Sequence, residues 1–203
     1  MTQLSQWTAD QLVFLDESVA NKHTKDRKYE WASVDVKTTL FIFHKRSECW
    51  SILSAYAVKG YIAWWVIQSS FTSALFNAFV KKKVLPLCTS FSGSWSVLVL
   101  DNASIHCSQI CFPILIDVFM LTYVQKLINM CQNAGVHIKY LPFYSSDLNP
   151  IEQFFAQLKA WMRKHSAMTA CYNDFSKFIE LAVENLSIYG NFEAHFHSSH
   201  IQC

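Results

Sequence analysis

Two unbroken apolar runs in this chain end in an acid. "QLVFLD" (11–16) and "SVLVLD" (96–101) show no alternation of polar and apolar residues, the pattern of strands covered on both faces. "SILSAYAV" (51–58) and "YIAWWVIQ" (61–68) are rich in β-branched and aromatic residues. Lys59-Gly60 between them predicts a tight hairpin. In "SFTSALFNAFVKKKVLP" (70–86), Phe71, Leu75, Phe76, Phe79 and Val80 fall at helical spacing. Ser70 or Thr72 can cap the start, and Pro86 lies past the end. "VQKLINMCQNAG" (124–135) predicts a helix stopped by Gly135, and "VHIKYLP" (136–142) a short strand. The clearest helix is "NPIEQFFAQLKAWMRKH" (149–165), with an apolar stripe of Ile151, Phe154, Phe155, Leu158, Trp161 and Met162. "DFSKFIELAVENL" (174–186) predicts another. Strands followed by alternating helices and strands, with no repeat or linker, predict one mixed α/β layered domain over residues 1–203.

Composition narrows this little. At 52% hydrophobic and 16% charged residues, the chain has the make-up of a folded domain. A net charge of +2 neither demands nor excludes nucleic acid. The basic residues cluster at Lys22–Lys28, at Lys81–Lys83 and at Arg163–His165. Such clusters suit phosphate contacts or a solvated surface equally. Seven cysteines without a CxxC pair, and no signal peptide at the first residue, read as the reduced thiols of an intracellular protein. The longest apolar run, 110–124, holds Pro113 and Asp117 and falls short of the roughly 20 residues a bilayer needs, so no membrane partner is expected.

The acids suggest chemistry. In an open α/β sheet, sites gather at the carboxyl ends of strands. Asp16 and Asp101 would meet there if their strands are parallel neighbours. Two adjacent anions repel, and a hard divalent cation relieves that repulsion. The plain alternative is that Asp16-Glu17 and Asp101-Asn102 are polar stops before turns. A third acid, Glu152, follows Asn149 and Pro150 in a good helix start. It reads as a capping-box residue or as a ligand, since it lies off the apolar stripe.

Taken together and in order, "FLDES", "VLVLDNASIH", "YLPFYSSDLNPIEQFFAQLKAW" and "EAHF" resemble the catalytic domain of DDE-superfamily endonucleases, the transposases of mariner-like elements of the fungal type. The resemblance extends through "DRKYEWA", "WSILSAYAVKGYIAW" and "FVKKKVLPLC". It implies an RNase H-like fold, a mixed sheet flanked by helices. It also implies an acidic triad of Asp16, Asp101 and Glu152 holding two Mg²⁺ or Mn²⁺ ions, and cleavage and joining of phosphodiesters at transposon ends. The implied partners are double-stranded DNA, as transposon ends and target, and a second copy in a homodimer. The implied location is the nucleus. Asn102 and His106 are accessory candidates, with His106 facing DNA or packing. Lys22, Lys25, Arg27, Lys28, Lys159 and Arg163 are candidate DNA contacts.

The sequence departs from the family pattern between Asp101 and Glu152, where "ICFPILIDVFMLTY" (110–123) is extra. It is expected to form an ill-fitting helix or an apolar excursion, because Pro113 opposes a helix running through it. The stretch "TLFIF" (39–43) and Ser146 are further departures. The family's N-terminal helix-turn-helix region has no counterpart before the first strand. These features carry the competing expectation, an inactive remnant that binds DNA or a partner without cutting. A zinc site in the tail, from His195, His197, His200 and Cys203, suits the ligand types, but "EAHF" is the family's ordinary ending.

Overall fold

The computed structural model describes residues 4–21, 24, 48–101, 113–142, 145–172, 174–190 and 192–201. Five strands form one sheet in the order β3-β2-β1-β4-β5. They are β1 (Leu12–Asn21), β2 (Cys49–Ala57), β3 (Gly60–Gln68), β4 (Val97–Leu100) and β5 (His137–Tyr140). β1, β2 and β3 make an antiparallel meander, and β4 and β5 add to β1 in parallel. The helices are α1 (Ser73–Phe79), α2 (Pro113–Asn133), α3 (Pro150–Lys164), α4 (Phe175–Tyr189) and α5 (Phe192–Ser198). This is the RNase H-like mixed sheet flanked by helices that the resemblance implied.

The unbroken apolar runs now have their reason. Along β1, Leu12 and Phe14 pack with α3, α4 and α5 on one face, while Val13 and Leu15 pack with α1 and α2 on the other. Along β4, Val97 and Val99 join the first face, and Leu98 and Leu100 the second. A strand buried on both sides has no polar positions to alternate with. The α3 stripe supplies Ile151, Phe154, Phe155, Leu158 and Met162 to the first core, all buried, with Trp161 partly so. Each such side chain contributes about 1.5–3 kcal/mol on burial.

Four boundaries differ from the sequence reading. First, β1 does not end at Asp16 but continues to Asn21, because pairing with β2 runs on to Asn21↔Cys49 after pairing with β4 stops at Leu15↔Leu100. Beyond Asp16 the second face is open, with Glu17 and Val19 exposed while Ser18 and Ala20 stay buried. Secondly, the hairpin turns on Val58-Lys59, one residue earlier than expected, and Gly60, at φ +111, opens β3. Thirdly, α1 runs into a wider π-helical turn, Val80–Val84, closed by Leu85 N–H donating to the Val80 carbonyl at 2.9 Å.

The fourth difference concerns α2, which begins at Pro113 and not near 124. Proline is at home as the first helical residue, where its missing N–H has no helical partner to lose. Residues 113–123 therefore continue one long helix, and Pro113 starts it instead of breaking it; 110–112 lie outside the described residues. Gly135, at φ +69, follows the helix end as expected. Among the described residues no helix is long and apolar enough to cross a membrane. Of the described cysteines, Cys131 is buried and Cys88 half-buried, whereas Cys49 and Cys171 are exposed.

Among the described side chains, α2 gives the second core Leu127, Met130 and Cys131, all beyond residue 123. Nearer its start, α2 is tied to α1 by Asn77 Nδ2, which donates to the Tyr123 carbonyl at 3.1 Å. Deleting residues 110–123 removes this hydrogen bond, roughly 1 kcal/mol. The thermal midpoint is expected to stay within about 4 °C, with equal or better soluble yield. A large loss of both would make the segment part of the core.

Candidate active site

Strand alternation determines which face each acid occupies. Asp16 follows Leu12 and Phe14 at even spacing, and Asp101 follows Val97 and Val99, so both point to the α3 side of the sheet. They are the next residues after the last parallel pair, Leu15↔Leu100. Their backbones are therefore neighbours on strands about 5 Å apart. Asp16 is half-buried, as is Asp101.

α3 arrives over this edge. Asn149 occupies its N-cap position and Pro150 its first turn, as the sequence suggested. The Asn149 side chain makes no capping bond. Its Nδ2 instead donates to Asp16 Oδ2 at 3.0 Å. The other oxygen, Oδ1, accepts from the Glu17 backbone N–H at 2.7 Å. Glu152, exposed at the third helical position, has its own N–H on the Asn149 carbonyl at 3.2 Å. Its side chain makes no reciprocal capping bond among the described contacts.

Asp16 is electrostatically the unusual group. Burial, first, pushes its pKa up to about 7; Glu152 and Asp101 raise it further, against the lowering effect of the Glu17 N–H and the Asn149 amide. All three acids therefore feel one another through Asp16. Yet among the described residues no three His, Cys, Asp or Glu side chains converge tightly enough to form a ready metal cage. The donor set, three carboxylates and no nitrogen or sulfur, fits a hard divalent cation in kind. The crowding of anions at Asp16 is what such a cation would relieve.

Other positions sort clearly. Lys159 and Arg163 lie seven and eleven residues beyond Glu152, within about 20° of it around α3. Both are half-buried at their stems. Lys22, Lys25, Arg27, Lys28, Asn102 and His106 lie outside the described residues. The zinc reading of the tail fails at His195: Nδ1 meets Tyr56 OH at 2.6 Å and Nε2 meets the Gln157 amide at 2.7 Å, so both ring nitrogens are engaged in the core. Burial holds its pKa below the usual value.

The sequence reading missed two neighbours of Asp16. Ser54 is its cross-strand partner on β2, fully buried, and Tyr61 lies beside it on β3. Burial drives the Tyr61 hydroxyl well above its ordinary pKa, and the Ser54 hydroxyl opposes that. The available signal was Ser54 itself, a polar residue flanked by Leu53 and Ala55 in a mostly apolar strand.

The family model of the DDE superfamily endonucleases matches residues 11–175. The chain belongs to this family. Solved structures with the same fold include the mariner Mos1 paired-end complex with Mg, at a TM-score of 0.61 and 13% identity, covering 95% of this chain and 52% of that one. The Mos1 paired-end complex with Mn gives 0.60 at the same identity and coverage. The catalytic domain of Mos1 mariner transposase gives 0.52, also at 13% identity, covering 95% of this chain and 76% of that one. This DDE-family chain thus spans about half the length of the Mos1 chains in the paired-end complexes. No curated protein matches it.

The raised Asp16 pKa makes a prediction about stability without metal. A carboxyl whose folded pKa is raised favours folding below its ordinary value of 3.8. That contribution is lost as pH rises through about 7. In chelator, the thermal midpoint of the native chain should therefore fall between pH 4 and 8 more than that of Asp16→Asn. Parallel curves for the two proteins would contradict the assignment.

Proposed function

We propose that this chain is the catalytic domain of a mariner-like transposase, cutting and joining DNA phosphodiesters at transposon ends. In this reading Asp16, Asp101 and Glu152 together hold two Mg²⁺ or Mn²⁺ ions. The observation that carries it is the placement of the three acids on one face at one sheet edge, where Asp16 is perturbed by both of the others. When bound, the ions supply Lewis acidity and charge neutralisation for in-line displacement at phosphorus. Family membership supports the chemistry, and the Mos1 structures with Mg and with Mn show that a similar fold is found with these ions.

The residues of the chain divide the work. Asp16 and Asp101 are delivered by buried strands, which gives them fixed backbones. Glu152 is itself exposed in the mostly buried first turn of α3, so its longer side chain has room to reach toward them. In this reading the three acids close into a cage when Glu152 turns inward. Lys159 and Arg163 continue the line of Glu152 along α3, reaching about 16 Å from it. A row of cations leading to a cluster of acids suits a DNA backbone that approaches along α3 and presents one phosphate at the acids. Lys22, Lys25, Arg27, Lys28, Asn102 and His106 remain proposed DNA-side residues, and the nucleus is the proposed location.

Two tests follow. Asp101→Asn keeps the shape and removes one charge, so Mg²⁺- or Mn²⁺-dependent nicking of plasmid DNA should disappear while the fold survives. Equal nicking by the two proteins would remove Asp101 from the site. Lys159→Ala and Arg163→Ala should each weaken DNA binding regardless of sequence and lower the salt dependence, log Kd against log salt, by about one. An unchanged slope would place DNA elsewhere.

A further inference from the structure

Asn149 is bonded to two of the three acids at once. Its side-chain amide donates to Asp16 Oδ2 at 3.0 Å, and its backbone carbonyl accepts from the Glu152 N–H at 3.2 Å. The residue is 3% exposed. Its remaining side-chain atom, Oδ1, is buried with no hydrogen-bond partner among the described residues. That combination is odd for a helix cap. An N-cap asparagine ordinarily turns its oxygen toward the amide two or three residues on. Here the oxygen is left unsatisfied, so that the nitrogen can face a carboxylate. When Asp16 is ionised, as it must be to hold a cation, its carboxylate only accepts, and the opposite amide orientation would set two oxygens against each other.

We propose that Asn149 is a positioning residue: it fixes the Asp16 carboxylate relative to the first turn of α3, and so sets the distance across which Asp16 and Glu152 share a divalent cation. This rests on the metal-dependent reading above and deepens it. Asp16 is thereby held at both oxygens, by Glu17 N–H from its own strand and by Asn149 from the helix. The clamp leaves the carboxylate few orientations, and partners that orient a metal-binding carboxylate typically contribute ten- to a hundredfold to metal affinity.

Asn149→Ser separates positioning from capping. Serine caps a helix as well as asparagine does but is too short to reach Asp16. The full chain and the variant are compared in chelator by thermal unfolding, then titrated with Mn²⁺ by calorimetry, then assayed for plasmid nicking. We expect a metal-free midpoint within about 4 °C of the native chain. We also expect Mn²⁺ affinity about tenfold weaker or more, and kcat reduced more than KM for DNA is raised. Should serine fail to fold, Asn149→Gly, also a tolerated cap, takes its place. Native Mn²⁺ affinity and nicking in the folded variant would overturn the proposal while leaving the metal site intact. If the native chain itself binds no Mn²⁺, and Asp101→Asn is indistinguishable from it, the underlying reading fails and the proposal with it.

Discussion

A carboxylate held out of water between a sheet and a helix is costly unless something compensates. Asp16 is such a group, and much of the site can be read as its surroundings. Burial raises its pKa to about 7, two further acids press in the same direction, and only the Glu17 N–H and the Asn149 amide oppose them. The buried strand beneath it has apolar partners on both faces, so Asp16 cannot retreat without disturbing Phe14 and Leu15, which belong to different cores. The helix above it is anchored by Ile151, Phe154 and Phe155 in the first of those cores. The strain of like charges is therefore carried by packing on both sides. This is the condition under which a fold can keep anions together in readiness for a cation.

The sheet topology turns that local constraint into a site. Parallel pairing of β1 with β4 brings Asp101 beside Asp16, and antiparallel pairing of β1 with β2 places Ser54 on its other side. One row on the α3 face thus runs Trp64, Ser54, Asp16 and on to Asp101. The row passes from aromatic packing through buried polar groups to the acids. Along α3, Glu152, Lys159 and Arg163 form a second line. The sheet row and the helix line meet where Asn149 joins β1 to α3.

Much of this was legible in the sequence, and the exceptions have physical causes. Apolar runs at 11–16 and 96–101 announced central strands, and the α3 stripe announced its buried face residue by residue. The extension of β1 through "ESVAN" was not legible. Its partner β2 lies far along the chain, and residues 17–21 alternate only because one face has lost its cover. Nor was the start of α2: Pro113 reads as a breaker until it is known to be the first helical residue. Asn149 was visible as a cap by position, but the direction of its amide depends on Asp16, which is distant in sequence and adjacent only in the fold. For the acids, spacing alone left turn-stops and ligands equally open. Strand parity, which puts Asp16 and Asp101 on one face, distinguishes a shared site from two unrelated turns.

The central claim is that Asp16, Asp101 and Glu152 close around divalent cations. Anomalous diffraction at the manganese edge, from crystals of the full chain grown with Mn²⁺, tests it most directly. The account predicts anomalous peaks at the β1–β4 edge, coordinated by oxygens of Asp16 and Asp101, with Glu152 turned in toward them and Asn149 still on Asp16. Saturating Mn²⁺ that leaves this edge without a peak, or that binds elsewhere while the three carboxylates stay apart, would contradict it.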